Sequence, residues 1–297
     1  MAFFVRFWGT RGSIPTPGRA TYRYGGNTSC VEIRVADTLF ICDGGTGLRE
    51  LGADLLRRYG QTPVVAHFLF SHMHWDHIQG FPFFAPIYQP KNTFHIYGTK
   101  PGDTRFHDLL SGQMRSSYFP VDFSELNANI VANELGDDGT RVIEGVTVRC
   151  LAQRHPGGSY AYSLERDGYK VVYATDNEID LILGDPALPL REPDTPRTIP
   201  AEVVDFCRNA DLLIVDGQYT DAEYRKYTGW GHNRATTATD LAIAANVKQL
   251  AIYHHDPMQS DKDVEAKVEL CRVRVAQQGS SLFVFPAREG VELRIDY

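Results

Sequence analysis

One run of ten residues restricts this chain more than any other. Ser71-His72-Met73-His74-Trp75-Asp76-His77-Ile78-Gln79-Gly80 places three imidazoles and a carboxylate within six positions. Metal coordination accounts for that density better than a chance cluster of polar loop residues. In an extended backbone alternate side chains leave on the same side, so His72 and His74 can share one cation. Asp76 and His77 are adjacent and diverge, toward a second cation. The preceding residues 64–70, Val-Val-Ala-His-Phe-Leu-Phe, read as a buried strand. The ligands therefore fall at the C-terminal end of a strand, where layered α/β folds carry their sites.

One short motif cannot fill two coordination spheres, so later strands should also end in ligands. Three do: His155 follows one strand pattern, Asp176 another, and the His254-His255-Asp256-Pro257 run a third. Strand patterns at about 2–8, 30–35, 38–42, 94–98, 142–151, 160–164, 171–174, 212–215, 250–253 and 282–285 alternate with helical ones at about 48–59, 103–113, 201–207, 235–245 and 263–277. That alternation predicts an α/β chain with two sheets packed face to face and helices outside. Asp43-Gly44-Gly45-Thr46-Gly47 lacks the Lys-Ser/Thr of a phosphate loop, so it is read as a tight strand-to-helix turn beside the metals. Asp43 is expected to orient a ligand rather than be one. His67, His95 and His107 are read as structural.

Candidate substrate contacts lie on loops. Arg11 and Ser13 follow the first strand, Asn27 lies in the Tyr24-Gly25-Gly26-Asn27-Thr28-Ser29 run, and Ser116 and Tyr118 lie in a segment, 101–125, expected to form a flap over the active site. No linker or low-complexity tract divides the chain, so residues 1–297 are expected to form a single domain. A formal net charge of −7 disfavours stable nucleic-acid binding, which needs clustered Lys and Arg. The five cysteines are scattered without C-x-x-C spacing and read as reduced packing residues of a cytoplasmic protein. Neither a signal peptide nor a membrane span is expected.

The histidine run resembles the signature of the metallo-β-lactamase superfamily. The order of later ligands, from the Gly9-Thr10-Arg11-Gly12 loop to His-His-Asp-Pro, resembles its ribonuclease-Z-like phosphodiesterase branch. That resemblance implies a four-layer αββα sandwich binding two divalent ions, Zn²⁺ or Mn²⁺ with Fe as a further option, and a homodimer. By motif, His72, His74 and His155 would hold one ion, and Asp76, His77 and His254 the other, with Asp176 bridging. His254 is the family ligand of the adjacent pair, and His255 should point away. Asp216 and His232 match a proton-shuttling pair in the tRNA-processing relatives, with Asp here for their Glu and Asn233 for their usual Ser or Thr. Asp76, Asp216 and His232 are therefore the expected catalytic residues. The chain also resembles cyclic-nucleotide phosphodiesterases of the same branch, which implies hydrolysis of a small phosphodiester, a 3′,5′-cyclic nucleotide first. The alternatives are a ribonuclease-Z-like RNA 3′ endonuclease, or a lactonase or thioesterase using the same two ions.

Overall fold

Near-continuous apolar runs give the central strands two buried faces, as at residues 39–42 and 212–215, and burying both requires two sheets with helices outside them. The computed structural model describes residues 2–98, 105–135, 139–185, 191–192 and 195–296. The first sheet contains β1 (Phe3–Gly9), β2 (Cys30–Val35), β3 (Thr38–Cys42), β4 (Val65–Leu69), β5 (Thr93–Gly98) and β6 (Asn129–Glu134). The second contains β7 (Thr140–Ile143), β8 (Val146–Gln153), β9 (Ser159–Arg166), β10 (Tyr169–Ala174), β11 (Leu212–Asp216), β12 (Gln249–Tyr253) and β13 (Phe283–Pro286). The last strand, β14 (Glu292–Ile295), returns to pair antiparallel with β1 and completes the first sheet. Each sheet is mixed, with an antiparallel half and a parallel half: β3 to β6 in one, β10 to β13 in the other.

The expected α/β sandwich is present, and alternation explains its layers. Leu212 and Ile214 of β11 enter the core between the sheets with Phe7, Phe40 and Tyr173. Leu213 and Val215 of the same strand face outward, against helices. On the first sheet α1 (Gly47–Tyr59) buries Leu48, Leu51 and Leu55. In chain order there follow α2 (Trp75–Ile78), α3 (Arg105–Gly112), α4 (Ala201–Cys207), α5 (Asp221–Tyr227), α6 (Ala235–Ala244) and α7 (Asp261–Gln277). Ala238 and Leu241 of α6 and Val268 and Cys271 of α7 cover the second sheet. Each fully buried aliphatic side chain stabilises the fold by about 1.5–3 kcal/mol. All five cysteines are free thiols, four of them buried. No helix among the described residues is long and apolar enough to cross a membrane.

The strand expected over 142–151 is instead a hairpin, β7 and β8. Glu144 and Gly145 both take positive φ, 49° and 79°, as a two-residue turn between right-twisted strands requires. The Gly-rich turn after β3 behaves as expected. It touches the histidine run backbone to backbone: Gly44 N donates to His77 O at 2.7 Å, and Gly80 N to Gly44 O at 2.9 Å. A Cβ on Gly45 would lie 2.2 Å from Asp76 O.

Gly45→Ala should therefore push the 76–80 backbone away from the sheet and destabilise the protein by about 1–3 kcal/mol. Urea unfolding checks this; an unchanged midpoint would show that the turn has room to spare.

Candidate metal centre

Four strands of two sheets end at one place, and each delivers donors just beyond its last residue. His72, His74, Asp76 and His77 follow β4, His155 follows β8, Asp176 follows β10 and His254 follows β12. Donor atoms of His72, His74 and His155 lie within 4.8 Å of one another, as do those of Asp76, His77, Asp176 and His254. Asp176 spans the two sets. Its Oδ1 lies 3.2 Å from His77 Nε2 and 3.3 Å from His254 Nε2, and its Oδ2 lies 3.7 Å from both His72 Nε2 and His155 Nε2. His255, by contrast, turns away and donates from Nε2 to Ala287 O at 2.9 Å.

Orientation of the rings comes from their far nitrogens. His77 Nδ1 donates to Asp43 Oδ2, His155 Nδ1 to Gly231 O and His254 Nδ1 to Gln218 Oε1, each at 2.8 Å. Ser71 Oγ gives its proton to Asp43, so it accepts from His72 Nδ1 at 3.0 Å, a tautomer assigned from this network. Asp43 is thus the orienting carboxylate expected from its position, and it is fully buried. Gln218 and Ser71 were not expected in this role. Gln218 carries no local signal, whereas Ser71 precedes the first ligand directly.

The donor set fits a pair of cations. His74 Nδ1 faces His72 Nε2 at 2.9 Å and His155 Nε2 at 3.1 Å, and three ring nitrogens pointing at one another cannot all be satisfied by protons. Ligand atoms about 2.0–2.1 Å from one ion lie roughly 3 Å apart, which is this spacing. His77 Nε2 is buried without a hydrogen-bond partner, 3.2 Å from Asp76 Oδ2. Burial pushes His72 well below the usual imidazole range and lowers His74 and His155 as well, which keeps them neutral. Burial opposes ionisation of Asp76 and Asp176, but the facing histidines outweigh it and hold both carboxyls well below their usual range. For His77 burial is outweighed by Asp176, Asp76 and Asp43, which draw a proton onto the ring. Neutral His72, His74 and His155 and ionised Asp76 and Asp176 are what a divalent cation needs, and at His77 a cation would take the place of the proton that the carboxylates attract.

Asp216 and His232 meet at the margin of the same cluster. His232 Nδ1 donates to Asp216 Oδ2 at 2.8 Å, leaving Nε2 free, and its ring stacks on His254 at 4.9 Å between centroids. Burial disfavours charge on His232, but Asp216 overcomes it and raises the pKa to about 9. Asn233 Oδ1 accepts from Ile179 N at 2.9 Å, tying the exit of β10 to this loop.

Two expected substrate contacts are corrected. Arg11 is fully buried and spends its guanidinium on carbonyls: Nε donates to Gly25 O, and Nη1 to Asp256 O and Gln259 O. It anchors the turn after His254 instead of facing a phosphate. Asn27 gives its side-chain amide to Glu289 Oε2 at 3.1 Å, so it closes a loop. Ser13 does reach the cluster, through its backbone N–H to Asp76 Oδ2 at 2.7 Å. Residues 101–104 of the expected flap, and the side chain of His107, lie outside the described residues. The rest of that segment packs through Leu110 and Met114, and Gln113 Nε2 donates to Ile78 O beside α2. Ser116 and Tyr118 stay exposed on the following turns. His67 and His95 stack at 4.9 Å within the first sheet, away from the cluster's donors.

Comparison with known proteins agrees with this geometry. The sequence model of the beta-lactamase superfamily domain matches residues 38–255. Ribonuclease Z of Haloarcula marismortui is 24% identical, over 100% of this chain and 98% of its own length. The metallo-beta-lactamase fold protein YhfI from Bacillus subtilis superposes with a TM-score of 0.67 at 20% identity, covering 99% of each chain. The short form of human tRNase Z superposes at 0.64 with 20% identity, covering 99% of this chain and all of its own.

Because Asp43 fixes the His77 ring directly and the His72 ring only through Ser71, Asp43→Asn should weaken binding of the cation at Asp76, His77 and His254 by about 10–100-fold and of the other by less. Zinc titration against a competing chelator measures this; two unchanged affinities would remove Asp43 from the site.

Proposed function

The chain belongs to the beta-lactamase superfamily, and we propose that within it the chain is a dinuclear-metal hydrolase of phosphodiesters, acting on the 3′ end of an RNA. The observation that carries the reading is the Asp216–His232 pair at the margin of a seven-donor cluster: a proton donor stands beside a cation site. His72, His74 and His155 would hold one cation, Asp76, His77 and His254 the other, and Asp176 both. When bound, such a pair supplies Lewis-acid polarisation of a phosphoryl oxygen and brings the pKa of water to about 7. Asp176 and Asp76 then balance the cationic charge. Ser13 N–H holds the Asp76 carboxylate in place, so that it can also take up the proton of the attacking water. His232, kept upright by Asp216, gives a proton from Nε2 to the leaving alkoxide.

The RNA substrate is supported by the curated relatives, which are ribonucleases Z matched over nearly their whole length. This displaces the cyclic nucleotide from first place and runs against the expectation that nucleic acid would not be bound. A second reading, a small phosphodiester such as a 3′,5′-cyclic nucleotide, is favoured by the net charge of −7, which works against a polyanion. An acyl hydrolase would use the same cations; a thioester's thiolate would leave without an acid, whereas a lactone's alkoxide would use one as a nucleoside's does.

A panel of a pre-tRNA with a 3′ trailer, 3′,5′-cyclic nucleotides, bis-p-nitrophenyl phosphate and an acyl lactone distinguishes the three. Cleavage of the pre-tRNA at its 3′ side is expected. Turnover of the cyclic nucleotides alone would move the assignment to the small ester, and turnover of the lactone alone would end the phosphodiesterase reading. His232→Ala should lower kcat on the accepted phosphodiester by about 10²–10⁴-fold with metal content intact. Chelation should abolish turnover, and Zn²⁺ or Mn²⁺ should restore it; activity that survives stripping to the metal-free protein would refute the dinuclear mechanism.

A further inference from the structure

Two of the three tryptophans stand in solvent, and both flank the metal cluster. Trp75, 79% exposed, lies between His74 and Asp76; Trp230, 61% exposed, lies two positions before His232. Trp8, in contrast, is 8% exposed. A large aromatic is usually buried over most of its surface, so an indole left in water forgoes a large hydrophobic gain.

The residues beside the two tryptophans meet at one edge of the cluster. His74 Nδ1 lies 3.1 Å from His155 Nε2, and His155 Nδ1 is bonded to the carbonyl of Gly231, the neighbour of Trp230. His74 is the exposed member of its donor set, so this is the edge open to solvent.

The loop that carries Trp230 is held rigidly. The buried Glu178 accepts Gly229 N on Oε1 and Gly231 N on Oε2, each at 2.7 Å, and also the hydroxyl of Tyr224. Gly231 has φ +92°, and a Cβ there would lie 2.3 Å from His155 Nδ1, so the chain can pass this point only as glycine. Behind the indole the Tyr227 ring meets it edge-on at 5.1 Å and stacks on Tyr219 at 4.8 Å. A clamped loop and an aromatic buttress fix an exposed side chain that makes no hydrophobic core.

We propose that Trp230 and Trp75 form a base-stacking subsite that binds an unpaired nucleobase next to the scissile phosphate. Flat aromatic faces take any base by stacking, and they require it to be free of a duplex partner. The phosphate is addressed by the cations, the base by the indoles, and specificity for a nucleotide over a simple phosphodiester comes from the second contact. In its catalytic consequence this inference rests on the phosphodiesterase reading.

Two chromogenic esters test it, thymidine 5′-(p-nitrophenyl phosphate) and methyl p-nitrophenyl phosphate, which share a leaving group and differ in the base. In the metal-loaded enzyme the ratio of kcat/KM for the thymidine ester to that for the methyl ester should fall about 10-fold or more in Trp230→Ala, the scale of one lost stacking contact. Trp230→Phe should recover most of the ratio. A structural role alone would lower both esters together, and an unchanged ratio overturns the proposal. If neither ester is turned over, stacking is judged by binding, and the phosphodiesterase reading is decided separately by the pre-tRNA. Adenosine 5′-monophosphate titrated into the zinc-loaded protein should then bind at least about 10-fold more weakly to the Trp75→Ala/Trp230→Ala double variant than to the parent. Equal affinity, or no binding to the parent, overturns the subsite as well.

Discussion

A single buried carboxylate, that of Asp43, joins the two sheets at the end where the site is built. It accepts Ser71 N at 2.7 Å and Ser71 Oγ at 2.8 Å from the first sheet's histidine run, His77 Nδ1 at 2.8 Å, and Tyr173 Oη at 2.6 Å from across the sandwich. Hydrogen bonds to a charged group are worth about 1.5–3 kcal/mol each, and an unsatisfied buried carboxylate costs at least as much. The four contacts therefore stand or fall together. Two further tyrosines of the second sheet repeat the crossing: Tyr162 donates to Phe70 O and Tyr253 to Gly9 O, both at 2.7 Å. Apolar packing between the sheets sets their separation, while these hydroxyls set the register of one strand-end row against the other. The distance between donors from different sheets depends on that register.

The architecture was legible because it rests on local patterns. Near-continuous apolar runs in β10, β11 and β12 have no sensible outcome other than burial on both faces, and ligands after consecutive strands imply that those strand ends are neighbours. The hairpin within 142–151 was missed because Glu144-Gly145 is a less familiar carrier of positive φ than Asn-Gly. The edge strand β14 was missed because its residues are half exposed and form no apolar run. α5 had a readable start, since Thr220 and Glu223 form a capping box.

Side-chain destinations set by partners far away in sequence were not legible. Arg11 looked like a phosphate ligand because it lies in a glycine-rich loop. Its actual acceptors, the carbonyls of Asp256 and Gln259, lie 245 and 248 positions away. Asn27 meets Glu289 across 262 positions. In both cases the polar side chain closes the fold, and no spacing rule separates that outcome from substrate binding. Gln218 shows the converse: an unremarked residue becomes the hydrogen-bond partner of His254 because β11 and β12 are paired side by side.

Backbone conformation adds a constraint that residue types alone do not reveal. Asp43, Asp176 and His254 all take left-handed φ, at 60°, 52° and 55°, just past the ends of β3, β10 and β12. Such a residue costs of order 1–3 kcal/mol unless its surroundings impose it, and non-glycine cases gather at functional sites. The same turn recurs at three strand ends, and each time it swings a polar side chain back across the sheet edge toward the centre. An extended residue would continue the strand's direction and carry the donor past the cluster. The surrounding hydrogen bonds to Asp43 and His254 oppose relaxation of the strain, and for Asp176 the four facing imidazoles do the same. Donor convergence and backbone strain are thus one feature of this fold: the charge that gathers the side chains also holds the turns that deliver them.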